Sequence, residues 1–250
     1  MALEDMRSHL PGLEPDRHVT DWGRSERVEG MVDGTLYNFL YHYWFRVTVE
    51  GIGSVPGDGP ALLVANHAGA LVPCAAMIVK AIRQEHSRPR PVHFVTDPKL
   101  ADLPAVGMLV TKVGGIPNHP ANLRRLLFDE EQLVLAFPEA AAGAKPIKHR
   151  YRLRQFGDDP AIGTAVQTGI PIVPVAIVGT EEAFPVLVRL PGIRIAPPVP
   201  LPARLSIRFL EPVETDDAAG REDALAHDIR ALIQENLLEM LSQRRSVWLG

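Results

Sequence analysis

The sequence predicts an α/β fold: a single domain with a mixed, partly parallel central sheet flanked by helices. Three observations predict it. From residue 61 onward, apolar runs of strand length alternate with stretches of helical spacing. Two of those runs, "ALLVAN" (61–66) and "IPIVPVAIVG" (170–179), read as buried strands. The chain, at 250 residues, is long enough for one sizeable core.

Taken in order, residues 1–35 read as an N-terminal arm and residues 36–250 as the domain. Residues 1–30 are polar and without a clear period, as an extended arm or a short surface helix would be. "LYNFLYHYWFRV" (36–47) then places six aromatics in twelve residues, a high density in a chain that is 6% aromatic. Two readings stand for it: a helix packed on the core that runs into a strand, or an aromatic face that touches lipid or a long acyl chain. "PCAAMIVKAIRQEH" (73–86) is read as a helix, with Pro73 suited to its first turn. "PVHFVT" (91–96) is a second strand, and "LVTKVGGIP" (109–117) holds a short third strand and a turn. "NLRRLLFDEE" (122–131) has helical spacing, and "QLVLAFPEA" (132–140) is a strand ending in a loop. "AIGTAVQTG" (161–169) reads as a helix before the strand at 170–179. "PGIRIAPPVPLP" (191–202), with five prolines, is a rigid connection. "RLSIRFLEPV" (204–213) alternates Leu205, Ile207 and Phe209 inward as a half-buried strand. The C-terminal segment is an amphipathic helix with Leu225, Ile229, Ile233, Leu237 and Met240 on one stripe, capped by Asp216 or Asp217.

Composition narrows the function. A net charge of −4 and a pI near 6.1 argue against nucleic-acid partners. The single cysteine excludes an internal disulfide and points to the reducing cytosol. "MALEDMRSHLPGLEPD" lacks the apolar stretch of a signal peptide, and no run of 18 apolar residues predicts a transmembrane helix. The expected location is cytoplasmic, with peripheral membrane contact through residues 36–47 left open.

In open α/β sheets ligands collect beyond the carboxyl ends of strands. Asn66 and His67 follow "ALLVA", and Glu139 follows "QLVLA". Seven positions after His67 stands Cys74, the only cysteine. The stretch 145–154 carries Lys145, Lys148, Arg150, Arg152 and Arg154, with Lys112 and Arg124 flanking an earlier block. Such a run is either a solvated basic face or an anion site for a phosphate. His119 reads as a loop residue. No His/Cys/Asp cluster has ligand spacing, so no metal is expected.

These stretches together resemble the glycerolipid acyltransferase family, the lysophosphatidic-acid acyltransferase group. "VANHAGALVPCAAMI" looks like its His–Asp block, "KVGGIPNHPAN" its second block, "FPEAAAGAKPIKHRYRLRQFG" its FPEG block, and "PIVPVAIVG" its apolar fourth block. The four blocks occur in the family's order. The resemblance implies acyl transfer from a thioester, acyl-CoA or the phosphopantetheine of an acyl carrier protein, to a hydroxyl. The thioester is a donor substrate, and no cofactor is implied. His67 takes the general-base role, and Glu139 falls in the acceptor-binding loop.

The chain departs from the family at the carboxylate. The commonest spacing puts Asp five after the His, where Val72 stands; a longer-loop branch puts it seven after, where Cys74 stands. The Gly of FPEG is Ala140, and Asp158, Asp159 and Pro160 replace a glycine-rich continuation. Cys74 therefore admits several readings: a nucleophile deprotonated by His67, a small packing residue in a weak or inactive enzyme, or a bystander to catalysis by His67 alone. A deliberate Asp→Cys change would give the same string. The reading adopted is an acyltransferase-fold enzyme with a His67–Cys74 pair acting on an acyl thioester. Its acceptor need not be a glycerolipid, and hydrolysis or ring closure are close variants. Asn66, Lys112, Glu139, Lys145, Lys148, Arg150 and Arg152 are its substrate-binding candidates. The alternative is a non-catalytic acyl- or lipid-binding protein of the same fold.

Overall fold

The computed structural model describes residues 19–67, 73–96, 104–139, 149–156, 159–185, 188–190, 193–195 and 199–244. Its strands are β1 (Thr48–Glu50), β2 (Ala61–Ala65), β3 (Val92–Thr96), β4 (Gly115–Pro117), β5 (Leu133–Ala136), β6 (Ile172–Val178), β7 (Val188–Leu190), β8 (Ile193–Ile195) and β9 (Ser206–Phe209). Its helices are α1 (Glu26–Val32), α2 (Pro73–Glu85), α3 (Pro104–Lys112), α4 (Pro120–Arg124), α5 (Pro160–Thr168), α6 (Thr180–Ala183) and α7 (Glu222–Gln243).

Among the described residues, seven strands join in one sheet in the order β1-β9-β6-β2-β5-β3-β4, and β7 pairs with β8 apart from it. Every neighbouring pair in the large sheet is parallel except β6 with β9. The expected mixed, partly parallel sheet is the one found. Strand β2 lies at its centre, and all five of its residues are fully buried. Burial on both faces explains why its sequence is apolar without alternation. Leu63 and Ala65 face the layer that contains Met77, Ile78 and Ile82 of α2. Leu62 and Val64 face the opposite layer, with Ile162 of α5 and Ile229, Ile233 and Leu237 of α7. Each such side chain contributes about 1.5–3 kcal/mol when fully buried.

The short strand and turn expected within 109–117 are Gly115–Pro117 and the turn before it, while residues 109–112 end α3; the break comes at Gly114, whose φ of 99° suits glycine and stops the helix. Two expectations change in detail. Helix α7 starts at Glu222, so neither Asp216 nor Asp217 caps it. A turn through Thr215, Ala218 and Arg221 intervenes, with Gly220 at φ 77°. His119, read as a loop residue, is the cap of α4: its ring nitrogen Nδ1 accepts from the Ala121 N–H at 3.2 Å.

The N-terminal helix is inverted relative to an ordinary surface helix. α1 continues through π turns at Asp33–Tyr37 and Leu40–Trp44, so one helical run spans residues 26–44. Two of its carboxylates, Glu29 and Asp33, point inward. Glu29, 3% exposed, pairs with Arg24 at 2.6 Å and with Arg83 of α2 at 2.7 Å, while Asp33 holds Lys80 of α2 at 2.9 Å. Tyr41 and Phe45 are buried in the core, and Tyr41 donates to Glu85. Burial, with Glu29 and Asp33 nearby, pushes the Tyr37 phenol up to about 12. Met31, Leu36, Phe39 and Tyr43 form the outer face and are exposed. The extra residue in each π turn keeps these widely spaced side chains on one side. The segment thus bears out the first reading of the aromatic run in part: Tyr41 and Phe45 pack on the core, while Phe39 and Tyr43 face outward.

His93 sits at the start of β3, 5% exposed, between Trp22 and Arg24. Burial, helped by the Arg24 charge, pushes its imidazole down to about 4. An unfolded histidine near 6.5 takes up a proton that the folded one refuses, so stability is fully present above about 6.5 and is lost as pH falls towards 4. Urea titrations across that window should show stability falling by up to about 1.4 kcal/mol per pH unit from this group. His93→Gln should flatten the slope, and equal slopes for the two proteins would remove His93 as its source.

Candidate active site

The three parallel strands β6, β2 and β5 end side by side, and the candidate residues follow them. His67 and Glu139 each lie three residues past Val64 and Ala136, the last pair of the β2–β5 ladder. His67 is half-buried, and its ring lies 5.2 Å from that of Phe137 at a tilt of 55°. Phe137, Ala65 and Cys74 belong to the same core layer. The turn after β2 therefore carries His67 towards the side of the sheet covered by α2, and Cys74 lies in the first turn of α2. Cys74 is 2% exposed and packs among Ala75, Met77 and Ile78.

Asn66 is spent on the scaffold. It is fully buried, its Nδ2 donates to the Ile177 carbonyl at 2.9 Å, and its Oδ1 accepts from the Ile177 N–H at 2.8 Å. The side chain copies a backbone peptide and prolongs the β2–β6 ladder by one rung beyond Ala65. That rung orients the peptide that leads into His67. A leucine there would leave both Ile177 groups dry and unpaired.

Glu139 is also buried, and its Oε1 accepts from the backbone N–H of Arg154. It ties the return of the FPE loop to the end of β5. Lys145 and Lys148 lie outside the described residues. Arg150 and Arg152 are exposed, on either side of the buried Tyr151. Lys112 ends α3 and precedes β4, which runs parallel to β3; it therefore stands at the amino ends of the strands, away from His67. There its carbonyl accepts from the Ser25 N–H at 3.0 Å and helps hold the N-terminal segment.

A polar cluster missed by the sequence reading stands at the end of β6. Glu181 and Glu182 of α6 are both buried. Glu181 accepts from the Tyr151 N–H at 3.0 Å, and Glu182 accepts from the Tyr151 phenol. The Gly179 N–H donates to the phenol oxygen at 2.8 Å. Burial and the neighbouring Glu182 carboxylate hold that phenol protonated well above its ordinary range. Arg150 and Arg244 approach the same carboxylate at 3.7 and 3.5 Å. The only signal in the sequence is an acidic pair directly after a wholly apolar strand, a pattern that reads equally well as a solvated turn.

The family model described as Acyltransferase matches residues 46–178. The uncharacterized protein Rv0502 of Mycobacterium tuberculosis is 33% identical, over 98% of this chain and 75% of its own length. The uncharacterized protein ML2427 of Mycobacterium leprae is 33% identical, over 98% of this chain and 73% of its own. Among solved structures, the 1-acyl-sn-glycerophosphate acyltransferase PlsC of Thermotoga maritima superposes with a TM-score of 0.62 at 21% identity, over 94% of this chain and 86% of that one. At that identity the likeness is one of fold.

The Asn66 rung has a measurable consequence. Asn66→Leu should cost about 2–4 kcal/mol, from two buried backbone groups left unpaired. Chemical denaturation measures it; a cost below about 0.5 kcal/mol would mean that water or another group replaces the amide.

Proposed function

The chain belongs to the acyltransferase family, and on that premise we propose that it moves an acyl group from an acyl thioester to a hydroxyl, with His67 as the proton-transfer group. The observation that carries this reading is the place of His67: beyond the carboxyl end of the fully buried central strand, beside Phe137, which belongs to the core layer that α2 covers. A general base has to sit where a substrate can reach a rigid support, and the Asn66 rung supplies the support. The donor is acyl-CoA or an acyl carrier protein thioester, and the basic residues after the FPE loop take a phosphate of the donor or of the acceptor.

In the two-step form of the reaction His67 accepts the Cys74 proton, and Sγ attacks the thioester carbonyl. The carbon–sulfur bond to the donor breaks, and the donor thiolate leaves with the proton from His67. The acceptor hydroxyl then gives its proton to His67 and attacks the Cys74 thioester, whose carbon–sulfur bond breaks and releases a Cys74 thiolate that takes the proton back from His67. Thioester exchange of this kind changes little in bond energy. The near-complete burial of Cys74 in an apolar layer favours a second reading, in which the thiol only fills space and His67 activates the acceptor directly. A missing orienting carboxylate then lowers the rate, as loss of the Asp does in serine proteases, by about 10⁴-fold.

His67→Ala should reduce acyl transfer at least about 10²-fold under either reading, and near-native turnover would remove His67 from the mechanism. Intact-mass analysis on rapid quench separates the two. An adduct of acyl mass, lost in Cys74→Ala together with turnover, establishes the nucleophile. No adduct, with Cys74→Ala still active, leaves the direct mechanism.

The outer face of the N-terminal helix supports contact with a membrane surface, where an acyl donor or a lipid acceptor is found. Its four exposed apolar side chains lie opposite buried carboxylates, the reverse of what water favours. No helix among the described residues is long and apolar enough to cross a membrane. With a net charge of −4 the attachment is apolar, so flotation with neutral liposomes should persist at high salt. Phe39→Ser combined with Tyr43→Ser should abolish it. Failure of the native protein to float with neutral and anionic vesicles alike would end this reading.

A further inference from the structure

We propose that Tyr151 is a positioning residue, which fixes Arg152 across the end of the central strand to hold the phosphate of a substrate beside His67. This rests on the acyltransferase reading above and assigns within it a device that the motifs do not contain. The segment 151–154 is pinned at two points. At Tyr151 it is tied beyond the end of β6, through Gly179, Glu181 and Glu182. At Arg154 it is tied beyond the end of β5, through Glu139. In the sheet β2 lies between those two strands. Held at those two points, the segment forms a strap between the ends of the strands that flank β2, and in our proposal it passes the carboxyl end from which His67 emerges.

The strap is held through its backbone from the side of α7. Gln234 donates to the Tyr151 carbonyl and accepts from the Leu153 N–H, both at 2.8 Å, and Arg230 donates to the Leu153 carbonyl at 3.4 Å. Tyr151 and Leu153 are buried between Arg152 and its neighbours, so Arg152 is the exposed residue at the middle of the span. Tyr151 itself has a φ of 59°, a left-handed conformation that a tyrosine keeps only when its surroundings impose it. Here they do: the N–H, the carbonyl and the phenol all have partners on other elements. Arg150, by contrast, lies outside the strap and leans on Glu182 at 3.7 Å. The two arginines are therefore not equivalent. Arg152 is the exposed residue within the strap, and Arg150 belongs to the anchor.

The shared ligand chemistry is a phosphate monoester, which an acyl donor carries on coenzyme A and a glycerolipid acceptor carries on its head group. Calorimetric titration of the full chain with coenzyme A in one arm and glycerol 3-phosphate in the other tells the two apart. Arg152→Ala should weaken one of them at least tenfold, and Arg150→Ala no more than threefold. Tyr151→Phe, which removes only the phenol oxygen, should weaken the same probe about fivefold or more. In the double variant Tyr151→Phe/Arg152→Ala the losses should not add, since the first residue acts through the second. In turnover assays the effect should fall on KM rather than kcat.

If Arg152→Ala weakens a probe while Tyr151→Phe binds as the native protein does, or if the two losses add in full, the positioning role is overturned and the anion site stands. If neither arginine variant changes the binding of either probe, the anion reading itself fails, and the strap with it. Should Tyr151→Phe not fold, Glu182→Gln and Glu182→Ala carry the same test. The glutamine keeps an acceptor for the phenol and should bind the probe nearly as the native chain does, whereas the alanine should lose binding. Equal binding by the two would overturn the proposal.

Discussion

The burial of β2 on both faces and both edges is the constraint on which the rest depends. A strand with no solvent-facing side needs a neighbour for every backbone group, and β5 and β6 supply them from Ala61 to Ala65. Asn66 carries the same logic one residue further with a side chain that mimics a peptide. Because the ladder is prolonged by that rung, the chain leaves the sheet from a fixed point, and the candidate His67 is the next residue.

The same demand for buried partners explains the two polar clusters. Around Glu29, Asp33, Lys80 and Arg83, charges fasten the N-terminal helix to α2, the helix that begins beside the candidate site. Around Tyr151, Glu181 and Glu182, charges and hydroxyls fasten the return of the FPE loop to the end of β6. Buried pairs of this kind are poor sources of net stability, but breaking one by removing a single partner is costly. They act here as registers: each sets where a neighbouring segment lies. One cluster leaves an apolar face turned outward, and the other fixes the path of the chain from Tyr151.

Most of the architecture was legible in the residues because it rests on local periodicity. "ALLVAN", "QLVLAFPEA" and "IPIVPVAIVG" could form little but buried strands, and the stripe from Leu225 to Met240 could form little but an amphipathic helix. Periodicity is silent at element ends. Leu109 and Val110 suit helix or strand alike, and only the pairing of Gly115–Pro117 with β3 fixes where the short strand within 109–117 lies.

The candidate site was legible in kind and not in arrangement. By itself the sequence determined the fold class, the position of His67 after a buried strand and the presence of a cysteine where its family carries a carboxylate, because these depend on residue type and order along the chain. Tertiary structure alone decided that Asn66 faces Ile177, that Lys112 stands at the far end of the sheet, and that the acidic pair 181–182 turns inward to grip a tyrosine thirty residues earlier. The physical reason is that a polar side chain has the same appearance in sequence whether it meets water or a buried partner. Which of the two it meets is set by strand order and loop return, and no local pattern encodes those.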